Sequence, residues 1–522
     1  MRYPLLLLTL FLATVMSAQD VTSNEMDTRQ AQTIRQRGYV TYRDFDAATD
    51  GMTDASEAIA AAHAYANDHG LPVRTDGGTY YFGGAERTAL ILTPTDFGTA
   101  TFIIDDTKVE NIGAPVFTVG SREETFVPEG IGTLRRGQER LPVTLPAASL
   151  VTVTNDSVRH YIRFGPNVDQ GAPQTDIFVV GADGRVDPQT PIIWDFDRIT
   201  AISARPIEDD TLRITGGRFI TVANQAESKY TYYARNIVIE RSRVIVDGLQ
   251  HRIIGEGEHG APYGGFINVR ECAYVTVRNC VLTGHKTYST IGRAGTEVSM
   301  GSYDILANRA LNVSFVNCTQ TNDIHDRTYW GIMGSNYCKN LVYDSCVLSR
   351  FDAHKGVANA TIRNSTLGHM GINAIGSGTL TVENTSVRGG RFVNLRSDYG
   401  STWRGRLLLR DCTFEPTNAG AAVISGYYSG QHDFGYVSYM PDTITVAGLH
   451  IDDSGLPDDY PGPALFADFN SERTDSTYVE RYPYVVTKQV ILHEVTTASG
   501  KELRLSDNPV MFGGVEVLRG GR

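Results

Sequence analysis

Residues 271–280 read ECAYVTVRNC and residues 337–346 read YCKNLVYDSC. In both, two cysteines stand eight positions apart, and an apolar alternation ends on a turn residue followed by the second cysteine. The closing phrase recurs as TVRNC, SFVNC, VYDSC, TIRNS, TVENT and LLRDC between Val275 and Cys412, at separations of about 19 to 38 residues. Short strands repeated at such spacing mark a solenoid. The uneven period predicts a parallel β-helix in which some coils carry loops. Coils stack about 4.8 Å apart, so equivalent residues form ladders along the axis. Six cysteines first suggest disulfides. Cys280, Cys318, Cys346 and Cys412 nevertheless share one slot, and Cys272 and Cys338 another. That arrangement favours a packed column of thiols over bridges.

Composition agrees with an all-β chain. Glycine is high at 52 of 522 residues, with 26 tyrosines, as expected of strands joined by tight turns. Hydrophobic residues at 41% exclude a disordered chain. A net charge of −12 without a Lys/Arg block excludes a nucleic-acid partner. The lone long apolar run, in residues 1–19 (MRYPLLLLTLFLATVMSAQ), is shorter than a membrane span and reads as a cleaved export signal without a membrane anchor. The expected organisation is a signal over 1–19, a linker over 20–38 and a β-helix over 39–522. Between about 120 and 215 the repeat weakens, and a hairpin is expected to turn at Asp183-Gly184. The expected location is secreted or periplasmic.

Residues 40–82 read VTYRDFDAATDGMTDASEAIAAAHAYANDHGLPVRTDGGTYYF. Asp54 and Glu57 are spaced as a capping box, and Ala58, Ile59, Ala62, Tyr65 and Ala66 make one helical face ended by Gly70 and Pro72. This stretch resembles the N-terminal module of the pectate-lyase-like superfamily, in which a D-F-x-A-x-x-D-G-x-T-D phrase precedes a short helix and a GGTYYF-type strand. The resemblance implies a right-handed parallel β-helix whose short N-terminal helix caps the open end.

Ionisable residues gather just past the repeated strand. TNDIHDRTYW (321–330), if extended, puts Asp323, His325, Arg327 and Tyr329 on one face. RFDAHKG (350–356) does the same for Arg350, Asp352 and His354, followed by Lys355. The two Asp-x-His pairs are 29 residues apart, against 28 between Cys318 and Cys346, which predicts that they stack. Neighbouring coils add His285, Lys286 and Tyr288, then His369 and Asn373, then Asn394, Arg396, Asp398 and Tyr399. A groove lined this way suits proton transfer on an acidic polysaccharide or oligosaccharide.

The reading preferred here is β-elimination on a uronic-acid glycan, by a lyase or a dehydratase. His325 or His354 serves as base, oriented by Asp323 or Asp352. Arg327, Lys355 and Arg396 neutralise the carboxylate, and Tyr329 or Tyr399 donates a proton. His285, Lys286 and His369 complete the substrate-binding set. DIHDR (323–327) resembles the D-P-H-D-R phrase of mannuronan C5-epimerases, with Ile324 in place of proline, which implies related proton abstraction. Polygalacturonases carry N-T-D, D-D, G-H-G and R-x-K phrases in that order. The counterparts here are Thr321-Asn322-Asp323, Phe351-Asp352, Gly368-His369-Met370-Gly371 and Arg396-Ser397-Asp398, without the paired aspartates or the final lysine. Hydrolysis by Asp323, Asp326 or Asp352 is therefore the rival, and a non-catalytic carbohydrate-binding β-helix is a third reading. No cofactor is expected. A divalent metal held by Asp and His stays an alternative.

Overall fold

A computed structural model describes residues 28–520. The expected export signal lies outside the described residues, as do residues 20–27 of the expected linker. The rest of that linker is not extended: Thr28–Arg37 is a helix with Ile34 buried.

The body is a stack of parallel strands. One column of partners runs Leu212, Val244, Val275, Val313, Leu341, Ala360, Leu380, Leu407, Ile444 and Val490. All ten are buried. The repeated phrase thus forms an inner ladder, each coil laying one aliphatic residue on the next. Its turn residues explain their own identity. Asn279, Asn317, Ser345, Asn364, Asn384 and Asp411 all adopt φ between +41° and +58°, a left-handed conformation that Asn and Asp tolerate better than most residues. Their side chains also pair between coils: Asn279 donates to Asp247, Asn317 to Asn279, and Asn384 to Asn364 at 2.8–3.0 Å. All six cysteines are unbridged and buried, as a packed column requires.

The N-terminal helix runs Ser56–His69 and ends at Gly70, φ +64°. Its start differs from a capping box. Ala55 is the N-cap, and Asp54 accepts from Ser56 N–H (2.8 Å) and Gly83 N–H (3.0 Å), tying the helix to the end of strand Thr79–Phe82. Ile59, Ala62, His63 and Ala66 are its buried face. Burial pushes His63 down to about 3, and likewise His160 to about 4. The unfolded chain takes up these protons near 6.5, so the stability linked to them is full above about pH 6.5 and declines as pH falls toward the folded values. Thermal melts should therefore drop as pH is lowered from neutral, and His63→Gln should flatten the slope. Parallel slopes in the two proteins would refute that account.

The weak-repeat region is an insertion. Strands Ala172–Val180, Ser149–His160 and Ala201–Pro206 form an antiparallel sheet in that order. Its core includes Leu134, Val151, Val153, Phe178 and Phe196. Val180 bridges Val186 around Gly184, φ +82°, in a tight turn. The sheet docks on the solenoid through Leu150, Ile177, Val179 and Ile207 against Ala273 and Leu311. A buried ion pair adds to this: Lys339 Nζ lies 2.8 Å from Asp176, both side chains about 1% exposed. Tyr161, just after the sheet's central strand, packs with Tyr337, Ile375 and Tyr399.

Candidate functional site

Strand Val347–Arg363 pairs with the next coil at Asp352–Asn373 and Ala353–Ala374, then resumes at Val357–Gly376. Residues 354–356 thus oppose a single residue, a bulge that turns His354 and Lys355 off the ladder. Gly356 takes φ +68° there, and a Cβ on it would sit 2.8 Å from the Tyr161 hydroxyl. On the preceding coil Asn336 pairs with Lys355, and its side-chain oxygen lies 2.9 Å from His354 Nδ1. With Nδ1–H donating to that oxygen, Nε2 keeps its lone pair.

Arg396 follows strand Arg391–Leu395 and leads into the short 3-10 turn Ser397–Tyr399. It grips Asp398 through Nε (3.1 Å) and Nη2 (2.7 Å) and stands 3.7 Å from Asp352. Arg350 is 2.6 Å from Asp352, and Arg163, from the insertion, is 2.9 Å from Asp398. Charges therefore alternate along Arg350, Asp352, Arg396, Asp398 and Arg163. The Tyr399 ring meets His354 edge-on at 5.2 Å. The cationic groups of Arg163, Lys355 and Arg396 lie 5.5–5.8 Å from its centre.

Burial, reinforced by Arg396, Lys355, Arg350 and Arg163, holds His354 well below the ordinary imidazole range. Burial also lowers Lys355, with Asp169 opposing and Arg163 adding to the shift. It raises the Tyr399 phenol, which stays protonated. Burial raises Asp352 against the pull of Arg350 and Arg396. Asp398 shows the reverse balance: Arg396 and Arg163 overcome burial and hold its carboxyl low. The cluster presents an uncharged imidazole and a phenol beside cations whose charge the carboxylates do not fully cancel. Such a site can take a proton from a carbon beside a carboxylate.

His354, Lys355, Asp352, Arg396 and Tyr399 are therefore together. The other expected residues are not. TNDIHDRTYW is a series of turns, because Asp323 accepts from His325 N–H and Asp326 from Thr328 N–H (both 2.9 Å), closing the chain on itself. The alternation assumed for Asp323, His325, Arg327 and Tyr329 therefore fails. So does the stacking of the two Asp-x-His pairs: between Gln320 and Met333 the chain forms turns instead of a continuous strand, and His354 hydrogen-bonds Asn336 on strand Met333–Asn336. Nor does Asp352 orient His354, since its nearest charged partner is Arg350. His325 and Arg327 act instead on His369, whose Nδ1 lies 3.1 Å from the Ile324 carbonyl oxygen. Tyr329 bridges Lys286 through the backbone. His285 is 2% exposed, 3.3 Å from Asp304 and stacked on Tyr263, and Lys286 Nζ donates to the Glu256 and Gly257 carbonyls. His285, His325, His354 and His369 thus fall into three separate environments. Sequence reasoning missed Arg163 and Tyr161, which lie in the insertion outside any repeat, and Asn336, whose signal was its place one coil before Lys355.

Among the described residues, no group of three or more His, Cys, Asp or Glu is gathered to hold a metal ion. Among them also, no helix is long and apolar enough to cross a membrane.

The chain is a parallel β-helix, and solved structures share that fold. The tailspike gp61 of Pseudomonas phage phi297 is 13% identical, with a TM-score of 0.55 over 92% of this chain and 84% of that one. The gp54 tailspike of Acinetobacter baumannii bacteriophage AP22, solved in complex with A. baumannii capsular saccharide, is 8% identical, with a TM-score of 0.50 over 91% and 74%. In sequence, a KL64-specific capsule depolymerase of Klebsiella phage P510 is 28% identical over an alignment of 127 residues, with 20% of this chain and 12% of that protein covered. No protein-family model matches the chain.

Proposed function

We propose that the protein processes acidic polysaccharides or oligosaccharides by β-elimination, with His354 as the base. The observation that carries this is a neutral imidazole set edge-on to Tyr399 and surrounded by Arg163, Lys355 and Arg396. His354 Nε2 takes the proton from the carbon bearing the uronate carboxylate. The guanidinium and ammonium groups stabilise the charge that spreads onto the carboxylate oxygens. The carbon–oxygen bond at the adjacent ring position then breaks as the C=C forms, and the Tyr399 hydroxyl protonates the departing oxygen. Solvent restores both groups. A polysaccharide substrate is supported by the capsule depolymerase and the saccharide-bound tailspike among the similar proteins. The signal-like residues 1–19 support a setting outside the cytoplasm.

Hydrolysis needs a free acid–base carboxylate pair. Asp323 and Asp326 each accept turn hydrogen bonds through Oδ1, and Asp352 and Asp398 are held by arginines, so no such pair is gathered among these four. Product mass on a panel of acidic polysaccharides tests the reading. Elimination gives fragments that sum to the substrate mass and absorb in the ultraviolet. Hydrolysis adds one water per cut without that absorbance, and loss of water without cleavage identifies the dehydratase form.

The depressed His354 pKa adds a pH expectation. The base stays free to acidic pH, so the acid limb of kcat/KM should fall well below the usual imidazole value of about 6.5. An acid limb at or above that value would count against His354.

A further inference from the structure

Gly356 separates the His354 bulge from a second concavity. Between the inserted sheet and the solenoid lies a cleft of about 310 Å³, which Gly356 and Tyr161 both border. Trp194 lines one side, with the His160 ring 4.4 Å from it and the Arg136 guanidinium 5.9 Å from it. Opposite, the Arg404 guanidinium lies 4.9 Å from the Tyr439 ring. The lining carboxylate is Asp195, which accepts the Arg136 backbone N–H at 2.9 Å. His160 is 4% exposed and its Nδ1 has no hydrogen-bond partner among the described residues; the same is true of the buried Trp194 Nε1. Both atoms are closed off from the cleft's open space, so the ring of Trp194 and the two guanidiniums define its lining. Burial keeps His160 uncharged, so it adds no charge beside the cleft.

Each feature specifies part of a ligand. An indole face suits a sugar ring, which has a flat C–H face. Two guanidiniums against one carboxylate favour an anion. The volume is at the low end of small-molecule sites, which run from about 300 Å³, and so admits one or two rings.

We propose that this cleft is a subsite for an acidic sugar residue. The ring stacks on Trp194, and the carboxylate is held by Arg404 and Arg136. The choice of acidic sugars rests on the functional reading above, while binding itself requires no turnover.

The test is titration of the full chain with D-glucuronate, D-galacturonate, D-mannuronate and N-acetylneuraminate, with D-glucose as the neutral control. Calorimetry and tryptophan fluorescence are the readouts. At least one acidic sugar should bind saturably, glucose at least tenfold more weakly, and Arg404→Ala should weaken the acidic sugar at least tenfold. Trp194→Phe should abolish the fluorescence change. If Arg404→Ala does not fold, raising the salt concentration should weaken binding to the native protein. Failure of every acidic sugar to saturate, equal binding of glucose, or indifference to both Arg404 and salt would overturn the subsite. Binding without any elimination product would sink the functional reading alone, and elimination without binding in this cleft would sink the subsite alone.

Discussion

Replacing His354 with alanine is expected to cut turnover of an acidic polysaccharide by about 10²–10⁴-fold, the contribution of a positioned general base. Folding should survive. The side chain stands on a bulge and not in the aliphatic column, and its one hydrogen-bonded side-chain partner, Asn336, sits on the neighbouring coil. Removing the ring also leaves Arg163, Arg396 and Asp398 in their mutual contacts, so substrate affinity should change less than kcat. His325→Ala is the informative control. Its ring belongs to the turn beside His369, and activity should stay close to that of the native protein. Comparable losses in both variants would mean that the reacting centre lies elsewhere.

Lys339→Met should destabilise the protein by about 3–5 kcal/mol, the usual result of removing one partner of a buried ion pair. Asp176 would lose its cation while remaining fixed, since its two oxygens accept from Ile177 N–H (2.8 Å) and Ile193 N–H (2.7 Å). Burial already lowers the Lys339 pKa against the pull of Asp176, so the pair is held in a poorly solvating place. Pairing Lys339→Met with Asp176→Asn removes both charges and keeps an acceptor for one of those two amides, and should recover part of the loss. Denaturant unfolding measures both. Because Tyr161 and Arg163 come from the insertion that this pair secures, Lys339→Met should also lower activity under conditions where the solenoid is still folded.

The solenoid was legible because its signal is local and repeated: Val275, Val313, Leu341 and Leu407 each sit at the same place in a phrase that ends in a left-handed turn residue. The cleft was legible only in part. His354, Lys355, Arg396 and Tyr399 follow strands in register, so the repeat brought them near one another. Matching His325 to His354 by counting failed because the count assumed equal paths around two coils. In one coil the chain makes turns between Gln320 and Met333, and Asp323 and Asp326, two candidate catalytic carboxylates, make those turns. Arg163 was out of reach for a different reason. Its approach to Asp398 depends on how a separate antiparallel sheet docks, which no periodicity encodes.

The buried thiols offer a last consequence. Six unbridged cysteines closed inside the stack should be shielded from alkylating reagents and oxidants while the coils remain closed. Modification then has to wait for local or global opening. Reactivity of each cysteine therefore clocks the fraying of its own coil. Cys280 and Cys412, at the two ends of their shared column, should report whether these coils open separately or together.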